Sequence, residues 1–143
     1  MSRITRTALV TYSTEQMFAL VSDIESYPEF LPGCVGSRIL REEGGLVEAS
    51  LELSKGGMTH RFTTRNQLTP GESIAMQLLE GPFKYLKGMW TFQALGDEGC
   101  KITLDIEFEM SNAITQMTVG AVFSQMVGSM VDAFSQRAKQ IYG

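Results

Sequence analysis

Reactive side chains are scarce in this chain: its 143 residues include one histidine, two cysteines and one tryptophan. His60, Cys34 and Cys100 stand apart, so no ligand cluster at zinc spacing exists and structural zinc is excluded. No glycine-rich phosphate loop is present, because Gly44-Gly45 and Gly56-Gly57 lack the helix start that points backbone amides at an anion. Serine and cysteine nucleophiles have no candidate base beyond His60. Positive charge is also short, with twelve Lys and Arg against sixteen Asp and Glu, a net charge of −4 and a pI near 5.0. No domain-wide basic field is available for a polyphosphate, which argues against a simple nucleic-acid binder. The amino end lacks a basic start, apolar middle and small-residue cleavage site, and a chain of this size needs no disulfide. A cytoplasmic protein with reduced thiols is the expectation.

Charge is missing altogether from Ser111 to Val131, a stretch about as long as a bilayer crossing. Its many Ser, Thr, Asn and Gln residues, with Gly120 and Gly128, would be unmatched in lipid, so a buried helix outside the membrane is the better reading. With 43% apolar and 20% charged residues and no long linker or repeat, residues 1–143 read as one domain.

The periodicity divides that domain. Arg3 to Tyr12 alternates as a strand, with Ile4, Ala8, Val10 and Tyr12 on one face. Ser13 or Thr14 caps a short helix carrying Met17, Phe18, Leu20, Val21 and Ile24. Two prolines then bracket bulky side chains in Tyr27-Pro28-Glu29-Phe30-Leu31-Pro32, a rigid apolar elbow with room for one further helical turn. Turns at Gly44-Gly45, Lys55-Gly56-Gly57, Thr69-Pro70-Gly71, Gly81-Pro82 and Gly96 to Gly99 separate six more strands. Asn112 to Tyr142 reads as one long helix of about 45 Å, with an apolar stripe from Val119 to Ile141. The predicted fold is therefore α+β, in the order β-α-α-β-β-β-β-β-β-α. A seven-stranded, curved antiparallel sheet wraps the carboxy-terminal helix in a helix-grip (START/Bet v 1-like) arrangement. Such a sheet cannot lie flush along so long a helix, and a space lined by both is expected.

Candidate functional residues follow from that space. His60 shares a face with Met58 and Phe62, a placement common to ligand-contacting histidines and to rim histidines satisfied by backbone. Nine methionines is a high number, and Met110, Met117, Met126 and Met130 suit either an adaptable apolar wall or ordinary core packing. Trp90 and Phe92 share a face with Leu86 and Ala94. Arg61 and Arg65 project from the opposite face; with Lys55, Lys84 and Lys87 they form either a local patch for RNA phosphate or anionic membrane, or a solvated sheet surface.

The chain resembles the coenzyme Q-binding START-domain proteins and their bacterial branch of ribosome association toxins. The resemblance lies in Ser22-Asp23-Ile24-Glu25-Ser26-Tyr27-Pro28-Glu29-Phe30-Leu31-Pro32 through Cys34, in Gly81-Pro82-Phe83 with Leu86, Trp90 and Phe92, and in Phe134, Arg137, Ala138 and Tyr142-Gly143. Gly33 stands where similar proteins often carry tryptophan, which removes a bulky group from the elbow. The resemblance implies a hydrophobic tunnel that binds ubiquinone or a similar polyprenyl lipid, as a carrier or chaperone supporting respiration. For the bacterial branch it implies binding to the large ribosomal subunit, blocking of subunit joining and inhibition of translation initiation.

Three function classes emerge. In the first, Phe30, Leu31, Cys34, His60, Phe62, Trp90, Phe92, Phe108, Phe123, Met126, Met130 and Phe134 wall the tunnel, His60 or Cys34 addresses a quinone head, and no catalytic cofactor takes part. An exposed Phe30 and Leu31 then make a transient membrane contact. In the second, Arg61, Arg65, Lys84 and Lys87 meet ribosomal RNA, as in a toxin-antitoxin system. The third, a polyketide cyclase-like enzyme, lacks the paired titratable groups that such chemistry needs.

Overall fold

A computed structural model describes residues 2–143 except Gly56, with Lys55 described by its backbone alone. Seven strands form one antiparallel sheet: β1 (Ser2–Val10), β2 (Cys34–Glu43), β3 (Leu46–Lys55), β4 (Met58–Thr69), β5 (Ser73–Glu80), β6 (Phe83–Ala94) and β7 (Cys100–Met110). Their spatial order is β1-β7-β6-β5-β4-β3-β2, so the first strand joins the last and the helices after it lead to the far edge. The Gly44-Gly45 hairpin is set by two successive positive φ angles, 56° and 85°, which match the twist of the flanking strands. The expected turn at Lys55-Gly56-Gly57 falls partly outside the described residues.

Helix α1 (Thr14–Ser22) starts on a capping box. The Gln16 amide donates to Ser13 Oγ at 3.1 Å, and the Ser13 amide donates to Gln16 Oε1 at 2.9 Å. The second helix of the expected pair is a tighter 3₁₀ turn, Ile24–Glu29, consistent with Pro28 inside it. The elbow folds inward. Leu31 is only 2% exposed, and Phe30 is half-buried against Phe134, with the Arg137 guanidinium 5.0 Å from its ring centroid. The sequence expectation of an exposed Phe30 and Leu31 is thereby corrected: Leu31 is part of the core, and Phe30 fastens the elbow to the closing helix.

The long carboxy-terminal helix is broken at Thr118. A short α2 (Ala113–Met117), capped by Asn112, precedes α3 (Val119–Tyr142). Ile114 is 75% exposed and Met117 80%, so α2 buries no side chain and Met117 is not part of the inner wall. Its 24 residues make α3 about 36 Å long, shorter than the expected span. The buried stripe runs from Val119 to Ala138 and stops there; Ile141 is 52% exposed. Among the described residues no helix is long and apolar enough to cross a membrane.

Strand alternation decides which side chains face α3. Along β7, Ile102, Leu104, Ile106, Phe108 and Met110 are buried, whereas Lys101, Thr103, Asp105, Glu107 and Glu109 face outward. The same parity carries across the ladder. Val47, Asn66, Met76, Gly88, Ile106 and Ile4 are successive cross-strand partners in one inward-facing row. The β5–β6 ladder runs only from Ser73↔Thr91 to Gln77↔Lys87. Beyond it β5 follows β4 and β6 follows β7, each through a register shift, at Thr63/Thr64 and Phe83/Tyr85.

Candidate ligand cavity and charged sheet face

The space between sheet and α3 is a cavity of about 50 Å³. Its walls include Ile24 and Tyr27 from the 3₁₀ turn, Ala49, Leu51, Phe62, Thr64, Asn66, Met76, Leu86, Gly88, Trp90 and Ile106 from the sheet, and Phe123, Met126, Val127 and Met130 from α3. That volume holds about three or four waters and is well below the roughly 300 Å³ at which drug-sized pockets begin. Packed rings account for the small size. Phe123 lies within 4.9 Å, centroid to centroid, of both Phe83 and Phe108 and 5.5 Å from Phe62, all edge-on, and this cluster fills the space around the start of α3.

Of the twelve residues expected to line a tunnel, Phe62, Trp90, Phe123, Met126 and Met130 line the cavity. Phe108 backs Phe123; Phe92 packs on Phe18 at 5.7 Å; Phe134 joins Tyr27, Phe30 and Trp90. Phe30 and Leu31 belong to the elbow. Cys34 opens β2, and its thiol donates to the Gly36 carbonyl at 3.4 Å; burial, followed by the Glu52 charge, pushes its pKa up to about 11, so it stays protonated. His60 pairs with Leu53 near the open end of β4 and does not reach the cavity. Ala94 is exposed at the end of β6 and is no wall residue.

Two polar wall residues, Thr64 and Asn66, lie outside the set expected from the sequence. Both are buried, and Thr64 Oγ1 donates to Asn66 Oδ1 at 2.9 Å. They sit at alternate positions of β4, the very period that assigns Phe62 to the interior, so the parity signal is present in the sequence. Their hydrophilic character masks it. Gly88 also matters: a Cβ there would lie 2.8 Å from Ile106 Cγ1 and 3.0 Å from Met76 Cε, so the missing side chain is what admits its two neighbours. Tyr27 donates its buried hydroxyl to the Val21 carbonyl, and burial raises its pKa. Among the described residues no group of His, Cys, Asp and Glu side chains is arranged to hold a metal ion.

The outer sheet face has the opposite character. Arg3, Arg38, Arg41, Arg61, Arg65, Lys84, Lys87 and Lys101 occupy it together with Glu43, Glu48, Glu52, Asp105, Glu107 and Glu109. With Glu80, which shares the face of its partner Thr63, eight of the twelve bases and seven of the sixteen acids are thus here. Some are paired: Arg65 with Glu48 at 3.2 Å, Lys84 with Glu109 at 3.6 Å and Arg3 with Asp105 at 2.7 Å. Arg38, Arg61, Lys87 and Lys101 have no carboxylate within ion-pair distance among the described residues. The Lys55 side chain lies outside the described residues.

The polyketide cyclase/dehydrase and lipid transport family model matches residues 10–135. The chain is 50% identical over 143 residues to a protein of Vibrio cholerae named ribosome association toxin RatA, covering 100% of this chain and 99% of that one. The chain belongs to this family, in its ribosome association toxin branch. A more distant member of the family, the mitochondrial coenzyme Q-binding protein COQ10 homolog B of Xenopus laevis, is 29% identical over 92% of this chain and 56% of its own length. The family fold extends further: the Zhui aromatase/cyclase of a Streptomyces species superposes with a TM-score of 0.87 over 99% of this chain and 96% of its own, at 20% identity.

Proposed function

We propose that this chain associates with the large ribosomal subunit through the outer face of its sheet, blocks subunit joining and so inhibits translation initiation. The observation that carries the reading is the 50% identity along the whole chain to a ribosome association toxin. Charge distribution supports the choice of surface, since bases slightly outnumber acids on the outer face of a chain whose net charge is −4. Arg61 and Lys87 carry the contact more than Arg65 and Lys84, whose charges are already met by Glu48 and Glu109. Cosedimentation with large subunits across a salt series tests this. Association weakens steeply with salt, and the double variant Arg61→Glu, Lys87→Glu loses it at least tenfold. Unaltered cosedimentation of that variant overturns this surface as the contact.

The cavity favours a second, compatible reading: a neutral hydrophobic molecule, ubiquinone or a similar prenyl lipid, enters between sheet and α3. Among the described residues no charged side chain lines the wall, and Met76, Met126 and Met130 are flexible enough to yield as a guest enters. Each buried methylene contributes about 0.8 kcal/mol. Organic extraction of the purified protein and mass spectrometry test it; a stoichiometric lipid supports the reading, and empty protein that also refuses added quinone overturns it.

A further inference from the structure

We infer that Asn66, held by Thr64, is the polar anchor of the cavity, and that it selects neutral apolar molecules that lead with a carbonyl oxygen. The inference rests on the hydrophobic-ligand reading and adds to it the part of the ligand that is recognised. Asn66 is 5% exposed and lines a wall otherwise made almost wholly of hydrocarbon. Its carbonyl oxygen is occupied, accepting from Thr64 Oγ1 at 2.9 Å, and this bond sets which end of the amide remains open. The open end is the N–H₂ group, which has no hydrogen-bond partner among the described residues. The N–H₂ group is not sealed off, since Ser37 Oγ is the fully buried polar side-chain atom without a partner among the described residues; it opens onto the cavity, where a guest that accepts hydrogen bonds can meet it.

The rest of the wall narrows the class. With no cation among the described residues that line the cavity, a carboxylate or phosphate would be desolvated with no compensating charge, so the guest is neutral. Beside the amide the same cross-strand row places Met76 and then Gly88, whose missing side chain is filled by Met76 and Ile106, so a guest gains room by displacing the flexible Met76, and Trp90 supplies a flat surface two residues along β6. A planar ring carrying a carbonyl fits this combination: its face lies against an aromatic or thioether neighbour and its oxygen meets the amide. His60 and Cys34, which the sequence offers for this role, stand outside the cavity.

Equilibrium dialysis of the full chain with 2,3-dimethyl-1,4-naphthoquinone and 2,3-dimethylnaphthalene separates anchor from cavity, because the two probes share a fused-ring frame and differ in the carbonyls. Comparing the ratio of their affinities between variants cancels their different hydrophobicity. The near-isosteric Asn66→Leu variant lowers the quinone-to-hydrocarbon ratio about tenfold, as expected for one lost hydrogen bond to a buried donor, while hydrocarbon binding is kept. Thr64→Val, which frees the amide to turn, lowers the ratio by a smaller factor. Should Asn66→Leu fail to fold, the ¹⁵N side-chain amide resonance of Asn66 in the natural chain decides instead: it shifts with the quinone and not with the hydrocarbon. A ratio unchanged in Asn66→Leu, or a resonance that ignores the quinone, overturns the anchor and leaves the cavity reading standing. If the natural chain binds neither probe, the hydrophobic-ligand reading falls and the anchor with it.

Discussion

The two faces of this sheet are made from alternate residues of the same strands, yet they solve opposite problems. Inward-facing side chains are packed so closely around Phe123 that about 50 Å³ is left, and the polar pair Thr64–Asn66 is enclosed with them. Outward-facing side chains are long, charged and largely solvated, held in ion pairs of the kind that contributes about 0–1 kcal/mol each. Changes on the inner face should therefore be read first as stability and then as ligand binding, whereas changes on the outer face should alter partners with little cost to folding. The proposed functions divide in the same way, with ribosome association on the outer face and a neutral ligand within.

The sharpest break of that contrast is Phe123→Ala, which removes the ring at the centre of the aromatic cluster. It should cost about 3–5 kcal/mol in urea unfolding; a loss below about 1 kcal/mol would mean that the cluster is loosely packed. Next is Gly88→Ala, whose Cβ would meet Ile106 and Met76 at 2.8 and 3.0 Å. A destabilisation of about 1–3 kcal/mol is expected by the same measurement, together with reduced uptake of any cavity ligand. Asn66→Leu should cost about 1 kcal/mol in the empty protein, because the buried Thr64 hydroxyl loses its acceptor while hydrocarbon replaces the amide. Smallest is Arg61→Glu with Lys87→Glu, expected within about 0.5 kcal/mol of the natural chain by urea unfolding while ribosome association is lost. Equal stability losses from the inner and outer variants would erase the distinction between the faces.

Cys34 adds a pH dependence that belongs to the inner side. Its folded-state pKa is raised to about 11 from an ordinary thiol value of 9.0, so the unfolded chain gives up this proton first. The contribution is fully present below the unfolded value and is lost as pH rises from about 9 toward 11. Urea unfolding at about pH 8 and about pH 10 should show that fall, and Cys34→Ala should reduce it.

Much of the fold was legible because alternation and turn chemistry are local. The Ile102-to-Met110 parity, the Ser13 cap and the Gly44-Gly45 hairpin each follow from a few neighbouring residues. The break at Thr118 was not legible: Ile114 and Met117 extend an apolar helical pattern, and only docking of α3 leaves them outside it. The site was less legible than the fold for a related reason. Aromatic residues identify an interior without saying which of them touch a void, so Phe92, Phe108 and Phe134 read as wall residues although they support the wall from behind. Asn66 and Thr64 obey the inward parity of β4, but a polar residue at an inward position signals a site only when its hydrogen-bond partners are known.

The sequence alone determined the seven-strand pattern, the closing helix, the family and the acidic balance, since these depend on composition, period and motif. Tertiary structure decided that the cavity is small, that its polar end is Asn66 rather than His60 or Cys34, and that base gathers on the outer sheet face. Those properties arise from cross-strand register and from the seating of α3, which bring together residues far apart in the chain.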